Sequence, residues 1–387
     1  IKITEMKLPA GFLTSGVSCG IKGNNKDLGL ILCDQGTTLF AFFTTNSIKS
    51  DTITISSERI KKTKGKVRAA LVISGNALCC CENAKTAIEK ITDKLSEELK
   101  VKSEEIILLA TGKIGVPLNY NKVIDSIPNL ISEMSDDVEP FAEAITTTDR
   151  KIKICENKFK SFRSVGVAKG AGMIKPNYAT TLSFFFTDAK PKVKKKELLD
   201  IVNSTIGRIN VDMCQSTNDS ALLFFSGKKD ADGFLLSSIN QIFSELAQKI
   251  VEDGEGATKS VQLIVKGAKN AKEANIVADS VSNSLLFRCS IFGSSPDFGR
   301  ILSSIGATGL KIEKEKIFIC LSSKKQKTEI VKNGIIVTKS LKKASQIMKN
   351  RNYEIEIKLG NGRGEGKSLF CDISPEYVDI NKESEIL

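Results

Sequence analysis

Apolar positions along this chain follow two alternating patterns. Short, mainly apolar runs at Val67–Ile73, Ile106–Leu109, Leu182–Phe186, Leu222–Phe225 and Ser260–Val265 have the length and side-chain types of buried strands. Between them the spacing turns helical. Ala84, Ile88, Ile91, Leu95 and Leu99 recur at intervals of three and four, one apolar stripe. Leu198, Ile201, Val202 and Ile206 do the same within Glu197–Ile209, and Leu235, Ile239, Ile242, Phe243, Leu246 and Ile250 within Phe234–Val251. Shorter helices are predicted at Val123–Met134, Phe141–Ile145, Glu273–Phe287 and Leu341–Met348, and strands and turns over Gly11–Phe43. This strand–helix–strand rhythm predicts an α/β architecture with helices packed on sheets.

From Lys316 the pattern becomes β-rich, with strands at Ile317–Leu321 and Ile335–Val337 and a strictly alternating, half-exposed strand at Tyr353–Leu359. Gly360–Gly366 reads as a hairpin loop. No helix follows it, so it is not a phosphate cradle. Ser74–Ala77 and Ala110–Gly115 read as turns closing their strands, and Ser216–Asp219 as a loop. No internal repeat and no low-complexity linker interrupts the chain.

Hydrophobic content of 41% supports a sizeable core. The net charge of +12 raises the question of an anionic partner, but the lysines are interleaved with acids, and runs such as Lys192–Lys196 read as solvated faces. Aromatic content of 6% leaves few stacking platforms, so no nucleic-acid partner is expected. No apolar run approaches the ~18 residues of a membrane span. The 10 cysteines lack any C-x-x-C spacing, and Cys79, Cys80 and Cys81 are adjacent. Buried free thiols in a reducing compartment are expected, without disulfides and without a metal.

The chain has no histidine. A Ser-His-Asp or Cys-His arrangement is therefore excluded, and a hydroxyl nucleophile needs a lysine or an α-amine as base. Lys169-Gly170-Ala171-Gly172-Met173-Ile174-Lys175-Pro176-Asn177-Tyr178-Ala179-Thr180-Thr181 places threonines after a glycine turn and directly before the run Leu182–Phe186. Thr180 can be an ordinary strand residue or a nucleophile on a rigid element. If the chain were cut between Ala179 and Thr180, the new α-amine, titrating near ~7.7–8.0, would put base and nucleophile on one residue.

This stretch resembles the self-cleaving centre of the ornithine acetyltransferase (glutamate N-acetyltransferase) family. Ala110-Thr111-Gly112, Thr147-Thr148-Asp149, Ser216-Thr217-Asn218-Asp219, Asp253–Lys259, Phe298-Gly299-Arg300, Cys371-Asp372 and Tyr377–Asn381 resemble further family blocks, in family order from about Gly11 to Asn381. The resemblance implies an N-terminal-nucleophile type fold, with mixed sheets sandwiched between helix layers, and an α+β C-terminal region over about 316–387. It implies an α chain, 1–179, and a β chain, 180–387, held as a heterotetramer of two each. Thr180 would take acetyl from N-acetylornithine and pass it to glutamate. Thr111 and Gly112 would form the oxyanion hole, and Thr147, Lys169, Thr180, Glu255 and Asn381 would bind substrate. Glu255, between two glycines, is expected in an exposed turn. No cofactor is implied, although bifunctional members also use acetyl-CoA as donor. The setting implied is arginine biosynthesis in the cytoplasm, or the mitochondrial matrix in a eukaryote. Ile73 and Leu78 stand where the family has flanking asparagines, and Ile386 where it has a terminal threonine or serine. An N-terminal-nucleophile amidase or aminopeptidase would share the threonine chemistry, and a non-catalytic amino-acid-binding paralogue would share the scaffold.

Overall fold

The structure, a computed structural model, describes residues 6–175, 181–231, 233–324 and 326–382. In chain order its elements begin β1 (Phe12–Val17), β2 (Leu28–Cys33), β3 (Thr38–Phe43), α1 (Asp51–Lys62), β4 (Ala69–Asn76), α2 (Ala84–Leu99), β5 (Ile106–Lys113), α3 (Tyr120–Ser132) and α4 (Glu139–Ala144). There follow β6 (Lys153–Lys158), β7 (Arg163–Lys169), β8 (Leu182–Ala189), α5 (Lys195–Ser204), β9 (Ile209–Asn210), β10 (Ser220–Lys229), α6 (Leu235–Glu252) and β11 (Ser260–Ala268). The chain continues through α7 (Ala271–Ser282), α8 (Leu285–Phe292), α9 (Gly299–Gly306), β12 (Phe318–Ser323), β13 (Gln326–Lys332) and β14 (Ile335–Ile336). It closes with α10 (Leu341–Met348), β15 (Asn352–Lys358), β16 (Gly364–Cys371) and α11 (Pro375–Asn381). Two compact units result. The first is Ile1–Gly170, Pro176–Gly207 and Gln215–Leu246, and the second is Ala171–Lys175, Arg208–Cys214 and Ala247–Leu387.

The first unit is a helix–sheet–sheet–helix sandwich. Its sheets run β1-β2-β4-β5 and β3-β10-β8-β7-β6. Between them Ile31, Val72, Ile107 and Leu109 meet Val167, Phe184, Phe186 and Phe224. On the outer face of the four-stranded sheet, Leu30, Leu71 and Leu108 pack with Ile88, Ile91 and Leu95 of α2 and Val123 and Ile127 of α3. On the outer face of the other sheet, the Phe185 ring lies 6.1 Å from Phe243 of α6. This explains the unbroken phenylalanine run. Successive strand residues point to opposite faces, and β8 is covered on both. A side chain at Gly166 would meet Ile242 at 2.2 Å, so its absence lets α6 lie close to the sheet.

The second unit is one seven-stranded sheet, ordered β14-β13-β12-β15-β11-β16-β9. Leu263, Val265, Ile319, Ile355 and Ile357 share its core with Val277 and Val281 of α7, Phe287 and Ile291 of α8, Ile301 of α9 and Ile347 of α10. The longest segment of this unit runs from Ala247 to the C-terminus.

Several expected elements are corrected. Gly360–Gly366 does not close a hairpin. β15 and β16 both pair with β11, one parallel and one antiparallel, so β11 separates them. The expected helix Glu273–Phe287 is two helices, broken where Ser284 caps α8 by accepting from the Phe287 N–H. The helix expected to reach Ile209 ends at Ser204, and Ile209–Asn210 is a strand beside β16. Ser74–Asn76 and Ala110–Lys113 are not turns but the irregular ends of the parallel pair β4 and β5. All ten cysteines are free, yet Cys80, Cys214 and Cys289 are exposed rather than buried.

Replacing Phe185, fully buried between β10 and α6, with alanine should cost about 3–5 kcal/mol. Urea titration followed by circular dichroism measures this. A loss below about 1 kcal/mol would contradict the two-sided packing of β8.

Candidate functional site

In the first unit the site is built on the carboxyl ends of β4 and β5. The strands run parallel with Ser74 beside Thr111 and Gly75 beside Gly112, then slip out of register at Asn76. Gly112 has φ +134°, and a Cβ there would fall 2.3 Å from the Gly75 carbonyl carbon. No side chain fits, so glycine at 112 is what lets the backbone of Gly75 and Asn76 come this close. The corner is buttressed from below by Asn218. This buried side chain donates to the carbonyls of Ala77 (2.7 Å) and Ala110 (2.9 Å), tying the two strand ends together.

Lys169, at the end of β7, is 8% exposed, not solvated. Its Nζ donates to Thr111 Oγ1 at 3.1 Å. The next residue, Gly170, donates its N–H to Asp149 Oδ1 at 2.6 Å. The Asp149 side chain is fully buried. It also accepts from Lys153 Nζ at 2.6 Å and from the Thr147 N–H at 3.0 Å. Asp149 thus joins two expected substrate residues, Thr147 and Lys169, to one anion. Burial alone would raise its carboxyl pKa, but Lys169, Lys153 and the Thr147 N–H outweigh burial and hold it down at about 2.

A second lysine borders this corner. Lys22 donates to the Thr146 carbonyl at 2.7 Å. Burial pushes its ammonium down. Asp27 opposes that shift, Lys169 adds to it, and Asp149 opposes it.

In the second unit Glu255 is 8% exposed, so the expected exposed turn acid is in fact buried. Its N–H donates to the Ala171 carbonyl at 2.8 Å, and its Oε2 accepts from Asn381 Nδ2 at 2.8 Å. Asn381 ends α11 and also donates to the Tyr377 carbonyl. A Cβ at Gly172 would lie 2.4 Å from the Glu255 carboxyl carbon, so the missing side chain is the space this carboxylate occupies. Asp212 accepts from the N–H groups of Met173, Ile174 and Cys214, fixing Ala171–Lys175. Burial raises its pKa against those donors, and Glu255 adds to the rise. Beneath this run, buried Arg288 donates to the carbonyls of Ser282, Asn210 and Val211. Arg300 donates to Asp297 and to the Leu286 carbonyl, tying α9 to α8.

Ala179 and Thr180, expected at the cut, lie outside the described residues. Thr181 shares a 2.5 Å hydrogen bond with Ser183 at the entry to β8. Of the remaining expected residues, Thr111, Gly112, Thr147 and Lys169 form one set in the first unit, and Glu255 and Asn381 a second set in the second. Sequence reasoning left Asp149 and Lys153 without a role and Asn218 in a plain loop. An acid closing a run of three threonines four residues before a lysine was the available signal. Among the described residues no cluster of three or more His, Cys, Asp or Glu side chains could hold a metal ion, and no helix is long and apolar enough to cross a membrane.

The first unit thus presents a threonine–glycine corner with a buried lysine on the threonine hydroxyl, in a chain without histidine. The sequence model of the ArgJ family matches residues 13–384. The arginine biosynthesis bifunctional protein ArgJ of Thermotoga neapolitana is 34% identical over 392 residues, covering 97% of this chain and 99% of the relative. The glutamate N-acetyltransferase of Methanocaldococcus jannaschii is 34% identical over 397 residues, covering 97% of each. A crystal structure of the arginine biosynthesis bifunctional protein ArgJ from Bacillus halodurans is similar with a TM-score of 0.44 at 29% identity, covering 49% of this chain and 91% of that one. The chain belongs to the ArgJ family.

The lowered Asp149 pKa carries a stability prediction. Its ionised form is favoured by the fold, so its contribution is present above the unfolded value near ~3.9 and is lost as pH falls through about 2. The expected size is roughly 2 kcal/mol. Asp149→Asn should lower stability at neutral pH and flatten the pH dependence of the denaturation midpoint between about pH 4 and pH 2. A variant with the wild-type acid profile would contradict this account.

Proposed function

We propose that this chain cuts itself between Ala179 and Thr180 and then transfers acetyl from N-acetylornithine to glutamate. The observation that carries the reading is the Lys169–Thr111 hydrogen bond, which puts a buried cation on the threonine of the Gly112 corner. In the cut, the Thr180 hydroxyl attacks the Ala179 carbonyl and displaces the Thr180 nitrogen. Water then hydrolyses the resulting ester, freeing the Ala179 carboxylate and the Thr180 α-amine. With no histidine in the chain, that amine is the base that activates the hydroxyl.

In the transfer, Thr180 Oγ attacks the acetyl carbonyl of N-acetylornithine, and ornithine leaves with the proton. The neutral amine of glutamate attacks the acetyl-threonine ester, and the Thr180 hydroxyl is restored. Thr111 and Gly112 stabilise the oxyanion of each tetrahedral intermediate, an effect commonly worth about 10²–10³ in rate for a single donor. Lys169 and Thr147 in the first unit, and Glu255 with Asn381 in the second, are the residues assigned to substrate binding. No step calls for a metal or prosthetic group. Acetyl-CoA serves as a second acetyl donor if this chain shares the bifunctional character in its relatives' names. The α and β chains remain together as a heterotetramer of two each, in the cytoplasm.

Intact mass under denaturing conditions should show two chains, the second beginning at Thr180. Thr180→Ala should remain one chain and transfer no acetyl from N-acetylornithine to glutamate. Release of acetate without transfer would indicate the amidase alternative. A wild-type chain that neither cleaves nor transfers would indicate the non-catalytic one.

A further inference from the structure

We infer that Lys22 is a specificity-determining residue that reads the side-chain carboxylate of the acceptor, a second anionic group beyond the one Lys169 engages. This deepens the acetyl-transfer reading and rests on it. N-acetylornithine carries one carboxylate and glutamate two, so an enzyme that binds both in turn needs a cation for the second carboxylate that its donor does not use.

The position of Lys22 suits that role. Its stem lies against Gly75, where a Cβ would fall 2.9 Å from Lys22 Cγ. Gly75 is the strand partner of Gly112, and Ser74 that of Thr111, the hydroxyl Lys169 holds. Lys22 and Lys169 therefore reach the same corner from β2's side and β7's side. Three lysines, Lys22, Lys153 and Lys169, share this corner with the carboxylates of Asp149 and Asp27. Lys22 is also pre-positioned. The buried Asp27 carboxylate accepts from the N–H groups of Cys19 (2.6 Å), Ile21 (2.6 Å) and Lys22 (2.9 Å), which fixes the loop carrying it. Among the described residues, the hydrogen-bond partner of the Lys22 ammonium is the Thr146 carbonyl. An ammonium has three donors, so this bond aims the group beside Thr147 without using it up.

The test compares glutamate with glutamine, which has the same shape without the side-chain charge. Equilibrium titration of the processed protein with each, and kcat/KM for each as acceptor, are measured for wild type, Lys22→Met and Lys22→Arg. The expected result is that Lys22→Met lowers the glutamate-to-glutamine preference by on the order of tenfold in both measurements, with Lys22→Arg restoring most of it. A preference that is unchanged in Lys22→Met, with both ligands weakened in parallel, would assign Lys22 to holding Thr146 alone and overturn the inference. Glutamate binding that depends on Lys22 in a wild-type protein that transfers no acetyl would support the inference while refuting the transfer. Absence of glutamate binding by the wild type would refute both.

Discussion

A single buried carboxylate organises the candidate residues of the first unit. Asp149 is out of water, and its charge is tolerable because Lys169, Lys153 and two backbone N–H groups offset the burial. Those N–H groups belong to Thr147 and Gly170. One side chain therefore sets the end of the threonine turn and the exit of β7 together. Lys169 is placed as a consequence, since its own backbone is held from the following residue. A neutral side chain at 149 would leave Lys153 buried without its counter-charge, so the arrangement stands or fails as a set.

The architecture was largely legible because both packing faces of the strands are written in the hydrophobic pattern. Phe184, Phe185 and Phe186 announce a strand covered on both sides, and the stripes of α2 and α6 announce what covers the sheets. α1 was missed because Asp51-Thr52-Ile53-Thr54-Ile55 alternates as a strand would. Its helix is secured by the Ser50 cap and by Ser56 donating to the Leu108 carbonyl, neither of which is a periodic signal. The hairpin expected at Gly360–Gly366 failed for a different reason. Loop composition reports that the chain turns, not which strand it turns beside, and here β11 takes the place between.

The site residues were named from the resemblance, and the structure adds the interactions that each of them makes. Solvation could not be read from sequence. Glu255 sits between glycines, which usually means an exposed turn, yet the bare backbone of Gly172 is what allows its carboxylate to be covered. Asn218 read as a loop residue because its partners, Ala77 and Ala110, are distant in the chain and contribute only carbonyls. Backbone partners leave no imprint on residue identity.

The clamp made by Asp27 has the same property, with an evolutionary result. It holds the loop through N–H groups of Cys19, Ile21 and Lys22, which every residue except proline possesses. The side chain at position 22 can therefore be exchanged without loosening the loop that presents it. A lineage could thus alter the charge offered at this corner by a single codon change while the scaffold remained intact.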